Sequence, residues 1–461
     1  MVQETAAAAT AISAQQIAAR IERLPVSRWH TKMRLIIGTA WFFDGFDALT
    51  IAFVLPALIP MWKLGPEQIG LLIAAGYAGQ AIGSVAAGWA AERYGRTRVM
   101  LWMLVIFTLG SFSCAAAWSL GSMMVLRFIQ GLGLGGEIPI MHAYVNEFAR
   151  AQGRGRFSLS YQVLFPVGIV ATGLVARWVV PNFGWQWMFI IGGVPALLAI
   201  PARLLLIESP RWLASRGRMS EADAAMSRIE AIVSDNGRVP LPPLPANLPL
   251  VQTATSRFGD LFKGIYRQRT LSLWGLWICS YICIYGITAW FPTIARTVYK
   301  LSVPESLNYG LIVAFVNMLG TLVCVGLVDV TGRKPLYTVS FVLSALPLLY
   351  LWFAGTSDPQ TVLWLASMSA FALGVLALGM GMFTAENYPN HMRALGGGIA
   401  NAWLRAASMV TPALIGYMLP RAGINAVWLL FGVSALLGAV ICALFSIETR
   451  GRVLEELSPA P

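Results

Sequence analysis

Apolar runs of about 20 residues, the length a helix needs to cross a bilayer core, recur along the chain, parted by short polar segments. Twelve of them lie near 35–60, 67–91, 98–118, 120–145, 158–180, 185–207, 270–295, 305–328, 334–355, 361–388, 393–419 and 424–447. The pattern predicts an all-α membrane protein with twelve membrane-crossing helices, spans one to twelve. It also divides the chain into an N-terminal segment (1–33), a six-span half (34–207), a central segment (208–269), a second six-span half (270–447) and a tail (448–461). In the central segment Met219 to Val233 has helical character and Phe258 to Arg269 is a short amphipathic piece. The prolines 240, 242, 243, 245 and 249 mark a linker between them. Ile17 to Arg28 reads as an amphipathic helix on the cytoplasmic surface.

Charges that interrupt the apolar pattern are the informative exceptions. In Trp41-Phe42-Phe43-Asp44-Gly45-Phe46-Asp47 two carboxylates fall about 15 Å into the first span, near the bilayer midplane. Three residues apart, they share one helix face. Lipid cannot hydrate them, so that face must turn to a protein interior or a water-filled cavity. Span eleven carries Asn401, Arg405 and Ser408 on one face, with Trp403 beside them, and span seven carries an aromatic stripe of Trp274, Trp277, Tyr281 and Tyr285 followed by Trp290. Such a stripe serves either packing or stacking on a ring-shaped ligand, and Trp290 also suits an interfacial belt.

Composition narrows the class. The chain has 461 residues, 57% hydrophobic and 12% charged, with a mean hydropathy of +0.67, which excludes an ordinary soluble globular protein. Of its 33 Lys and Arg residues, 25 fall on one side of the membrane if the N-terminus is inside, so both termini are expected to be cytoplasmic. The net charge of +12 then follows from topology. The basic residues are scattered over many loops, which argues against a nucleic-acid partner. Cys114, Cys279, Cys283, Cys324 and Cys442 all lie in apolar runs and are odd in number, so no disulfide framework is expected. No basic stretch followed by a short apolar core marks a cleavable signal. Neither a metal-ligand spacing nor a supported nucleophile arrangement is present, so no cofactor and no enzymatic activity are expected. Gly131, Gly133 and Gly136 satisfy the pattern GxGxxG, but inside an apolar helix they predict close helix packing, not a dinucleotide site.

The halves repeat each other. Glu92-Arg93-Tyr94-Gly95-Arg96 after span two is echoed by Asp329, Gly332 and Arg333 after span eight, at an offset of 237. Glu147 with Arg154 after span four is echoed by Glu386 with Arg393 after span ten, at an offset of 239. These paired loops resemble the cytoplasmic signature of the major facilitator superfamily, whose fold has two six-helix halves related by an axis along the membrane normal. Glu208-Ser209-Pro210-Arg211-Trp212-Leu213 after span six, and Glu448-Thr449-Arg450-Gly451 with Leu454-Glu455-Glu456 after span twelve, resemble motifs of sugar porters and organic-ion transporters. In an alternating-access protein Glu92, Arg93, Arg96, Glu147, Asp329, Arg333, Glu386 and Arg393 are then expected to gate the cytoplasmic side, as contacts between halves that form in one conformation and part in another.

The resemblance also bears on cargo. Seven residues before the proline of Thr411-Pro412, animal organic-cation transporters carry an acid and their organic-anion relatives a base; this chain has Arg405. Asp-Gly-Phe-Asp in span one resembles the signature of aromatic acid and proton symporters, and Arg23-Leu-Pro25-Val-Ser-Arg28-Trp-His30 resembles the start of bacterial niacin transporters. A guanidinium fork matches a carboxylate. The expectation is a monomeric inner-membrane transporter of a small organic anion. It would take up nicotinate or a benzoate-type acid, with Arg405, Asn401, Ser408, Trp403, Trp277, Tyr281 and Tyr285 at the substrate and Asp44, Asp47, Glu137 and His142 handling protons. Asp44 is the expected partner of Arg127 if that pair is structural. A proton-driven exporter of drugs or organic cations, and more distantly a membrane sensor, are the rivals.

Overall fold

The computed structural model describes residues 13–149, 162–244, 258–355 and 358–450, and among these every regular element is a helix. The spans are Arg28–Trp62, Pro66–Tyr94, Arg96–Ala115, Leu120–Phe148, Leu164–Phe183, Gln186–Leu204, Gly264–Thr297, Val303–Thr331, Arg333–Ala354 and Pro359–Glu386, with spans eleven and twelve inside Asn390–Phe445. Those last two part at Gly423, whose φ of 73° breaks the helix shortly after Pro412 and Pro420. Several helices overrun their apolar runs. Span one, at 35 residues, is about 52 Å long and projects beyond a core of about 30 Å. Outward-facing apolar side chains such as Val85, Trp118 and Phe353 form the belt expected against lipid.

Within each half the repeat seen in the loops is repeated in the packing. Span two lies along span four and span eight along span ten; span three meets span six and span nine meets span twelve. The glycine-rich stretch does what helix packing asks of it. A methyl group on Gly131 or Gly135 would overlap the span-two backbone at Gly76 and Gln80, and one on Gly133 would overlap span three at Phe107. The halves meet through spans two and eleven and, by the same symmetry, five and eight. At the end of the bundle where spans two and eight begin, this junction is tight. A methyl on Gly70 would lie 2.5 Å from the Pro412 carbonyl oxygen, and one on Gly416 the same distance from that of Pro66. Glu67 and Arg421 pair across it, both half exposed.

The other end is the basic end, where the loop motifs build two matching clusters. Span two stops at Gly95 (φ 106°) and span eight at Gly332 (φ 91°), a backbone region that glycine reaches without strain. The Glu208 carboxylate then accepts from the backbone N–H groups of Arg96 and Thr97 (3.1 and 3.2 Å), and the Glu448 carboxylate from those of Arg333 and Lys334 (3.1 and 3.0 Å). Each acid satisfies the orphan donors of the next helix and complements its dipole. Burial opposes ionisation of Glu448, but backbone donors from Arg450, Arg333, Lys334 and Thr449 outweigh it and hold the carboxyl below its ordinary range.

The N-terminal helix Ala14–Arg23, capped by Ser13 and Gln16, differs from expectation. Its apolar side, Ile17, Ala19 and Ile21, is fully buried, and with Leu24 it packs beside Trp212, Met226 and Ile229 of the central helices instead of lying on lipid. Acids supply the reason. Arg20 donates to Glu230 at 3.0 and 2.6 Å and also pairs with Asp223, while Arg23 pairs with the same Glu230. Arg211 pairs with Glu22. Burial works against the Glu230 charge, yet the two guanidinium groups prevail and keep its carboxyl below the usual value.

Candidate functional site at the junction of the halves

Span two carries the polar groups that organise the middle of the bundle, and its narrow glycine seam with span four is what brings them into register. Gly76 faces Arg127; a methyl group there would stand 3.4 Å from Nη2. Arg127 Nη1 donates to Gln130 Oε1 at 2.6 Å and to Asp47 Oδ2 at 3.1 Å, and Gln130 Nε2 donates to Asp47 Oδ1 at 2.8 Å. The pair is 4% and 1% exposed, so each charge depends on the other for its solvation. Arg127 is therefore matched by Asp47, not by Asp44. Both acids are buried on span one, and it is the later one that reaches span four.

On the next turn of span two stand Tyr77 and Gln80, 3% exposed each. Gln80 Oε1 accepts a short hydrogen bond from Arg405 Nη1, joining the two halves. Arg405 is 6% exposed, and its partner is a neutral amide, not one of the buried acids. The Tyr77 ring meets Tyr285 edge to face at 5.0 Å, Tyr285 meets Tyr281 at 5.7 Å, and Tyr281 stacks on Trp277 at 5.3 Å with an interplanar angle of 10°. All three tyrosines lie within electrostatic reach of Arg405. Trp277 is tied down by its indole N–H, which donates to Thr384 Oγ1 at 2.8 Å. A cation in apolar surroundings, bordered by aromatic faces and held by a displaceable amide, can receive a flat anion.

The chain matches the family model "Sugar (and other) transporter" over residues 61–460. It is 32% identical to the niacin transporter NiaP of Acinetobacter baylyi, over 96% of this chain and 99% of that one. The inner membrane metabolite transport protein YdjE of Escherichia coli is 28% identical, over 96% and 98%. Among solved structures, the partially occluded inward open xylose transporter XylE from E. coli superposes with a TM-score of 0.73 at 20% identity, over 93% of this chain and all of that one. The chain belongs to the sugar and other transporter family. It is thus a major facilitator transporter with the twelve-helix fold, and not an enzyme.

In this transporter the expected site residues fall into separate groups. Arg405, Tyr281, Tyr285 and Trp277 come together, and span two adds Tyr77 and Gln80, which the sequence reading did not single out; a polar Gln in an apolar run was the available signal. Ser408 turns inward on its own helix, donating to the carbonyls of Leu404 and Arg405. Asn401 is half-buried one turn before Arg405. Trp403 packs on Trp274 at 5.5 Å, off the ladder. Trp290 is fully buried and so belongs to no interfacial belt. Asp44 and Glu137 are buried, and His142 lies edge to face with Trp41 at 5.1 Å. All three lie on the basic-end side of Asp47 and Arg127 along their helices. Among the described residues, loop charges pair within their own half in this conformation. Arg96 bonds Glu92 and Glu147 at 2.7 and 3.2 Å, and Arg333 bonds Glu386 at 2.9 Å. Arg93 turns outward over the exposed rings of Trp89 and Tyr94. The side chains of Asp329 and Arg393, and residues 154–155 and 451–456, lie outside the described set. All five cysteines are free and buried.

Proposed function

We propose that this transporter takes up a small aromatic monocarboxylate, nicotinate first and benzoate-type acids next, together with protons, as a monomer in a bacterial inner membrane with its basic end and both termini in the cytoplasm. The observation that carries the reading is Arg405. A guanidinium buried near the middle of span eleven, bonded to a neutral amide and bordered by tyrosines, is a site for a carboxylate on a ring. The relative named as a niacin transporter supports the same cargo. Neutralisation of Asp47 by Arg127 removes the main objection to an anion, because one of the two acids of span one is already paired.

Proton coupling follows from that pair. Protonation of Asp47 would free Arg127, and Asp44, Glu137 and His142 provide titratable groups on the way to the basic end. Alternating access would open the tight junction of spans two and eleven, with the two charge clusters keeping each half rigid as it rocks. Uptake of labelled nicotinate by vesicles tests the reading. Competition by benzoates, none by organic cations, and loss of uptake in Arg405→Ala are expected. Undiminished uptake in that variant removes the anion site, and competition by cations alone favours the exporter reading.

A further inference from the structure

The Tyr77 hydroxyl and Arg405 Nε, both buried at the centre of the site, bond to no described group. Their residues are 3% and 6% exposed, and they belong to opposite halves. An unmet donor in such surroundings is costly, and native interiors rarely keep one without a reason. Span two cannot easily move Tyr77 elsewhere, because its backbone at the preceding Gly76 and one turn on at Gln80 is seated against Gly131 and Gly135 of span four without room for a methyl group. The ring is fixed too, edge-on to Tyr285. The hydroxyl is therefore a positioned donor, in reach of the fields of Arg405, Arg127 and Asp47.

We propose that Tyr77 is a substrate-contacting, specificity-determining residue whose hydroxyl donates to the carboxylate held by Arg405. This rests on the reading of the cargo as an aromatic carboxylate. A carboxylate oxygen outcompetes the neutral Gln80 amide for the guanidinium, since charge-assisted hydrogen bonds are about twice as strong as neutral ones. The anion then takes Arg405 from the second half and Tyr77 from the first, while its ring lies along the faces of Tyr285 and Tyr281. The carboxylate, not the ring, bridges the halves. A neutral analogue of the same ring can use the aromatic ladder but not the bridge.

The test is equilibrium binding of nicotinate, and of methyl nicotinate as the neutral analogue, to the purified full-length protein and its Tyr77→Phe and Arg405→Ala variants. Tyr77→Phe keeps the ring contact, and an unchanged unfolding temperature checks that it keeps the fold. The proposal expects Tyr77→Phe to weaken nicotinate by on the order of tenfold or more and to leave methyl nicotinate within about twofold. Equal weakening of both ligands, or of neither, overturns the role of Tyr77. If Arg405→Ala still loses nicotinate, the reading of the cargo stands without it. Nicotinate binding that survives Arg405→Ala, or no saturable binding by the unaltered protein, overturns that reading and the proposal together.

Discussion

Replacing Asp47 by asparagine removes one charge from the buried pair while leaving an oxygen for Gln130, so it isolates what the charge contributes. At the observed 3.1 Å the gross attraction is about 5 kcal/mol for an effective dielectric of about 20. Taking both ions out of water costs several kcal/mol each, so the intact pair is worth little over a well-packed apolar one. The unpaired state is different. With Asp47 neutral, Arg127 is left 4% exposed with Gln130 Oε1 as its remaining acceptor among these contacts, and losing one partner of a buried pair costs about 3–5 kcal/mol. Adding Arg127→Gln relieves that charge. The double variant is therefore expected to unfold several degrees above Asp47→Asn alone, with a coupling energy of at least about 2 kcal/mol. Thermal unfolding in detergent gives the first readout. Nicotinate accumulation in vesicles with and without a pH gradient gives the second: both variants should exchange nicotinate and neither should accumulate it. Strictly additive effects of the two substitutions would rule out the coupling between the charges, and proton-driven accumulation by Asp47→Asn would rule out the role of this pair in proton coupling.

Three further outcomes follow from the packing and the loop charges. Gly135→Ala should lower stability by about 1–3 kcal/mol, because its methyl group can be accommodated only by separating spans two and four; unfolding midpoints against a Gly121→Ala control, where nothing lies within 4 Å, check it. Gly416→Trp should keep spans two and eleven apart where Pro66 approaches, so that single cysteines placed at that end label readily and net uptake is lost, while unchanged labelling would contradict the tight junction. The N-terminal helix should stay docked at neutral pH and come loose in acid. Glu230 has its carboxyl held below the ordinary 4.5, so its contribution is fully present above about 4.5 and is lost as pH falls through the lower folded value. Hydrogen exchange over residues 14–23 measures this, and Glu230→Gln should give the same release at pH 7.

Much of this was legible in the chain. Apolar run length fixes the spans because a bilayer core sets one length scale, and the echoes at Gly95 and Gly332 show the repeat because both turns need the same positive φ. The glycines of span four announced close packing for the same steric reason. Contacts between distant segments were not legible. Asp44 and Asp47 lie on one face, and nothing in the local sequence says which meets Arg127. Gln80 and Arg405 are 325 positions apart, and nothing in an apolar run says that a lone Gln or Tyr will face the other half. Amphipathicity required the side of Ala14–Arg23 carrying Ile17 and Ile21 to be covered; that protein covers it, and not lipid, follows from Asp223 and Glu230, which lie 203 and 210 positions from Arg20. Glu208 and Glu448 cap the next helix of their own half, where the orphan N–H groups of spans three and nine point, and neither motif by itself shows that contact.

In the proposed site Arg405 holds the carboxylate of the cargo in place of Gln80. Titration of the purified transporter with nicotinate and with nicotinamide, which has the same ring without the charge, tests it most directly when repeated on Arg405→Ala. The unaltered protein is expected to prefer nicotinate by about tenfold or more, and the variant to lose this preference while retaining weak binding of both. A preference for nicotinate that persists without Arg405 would contradict it.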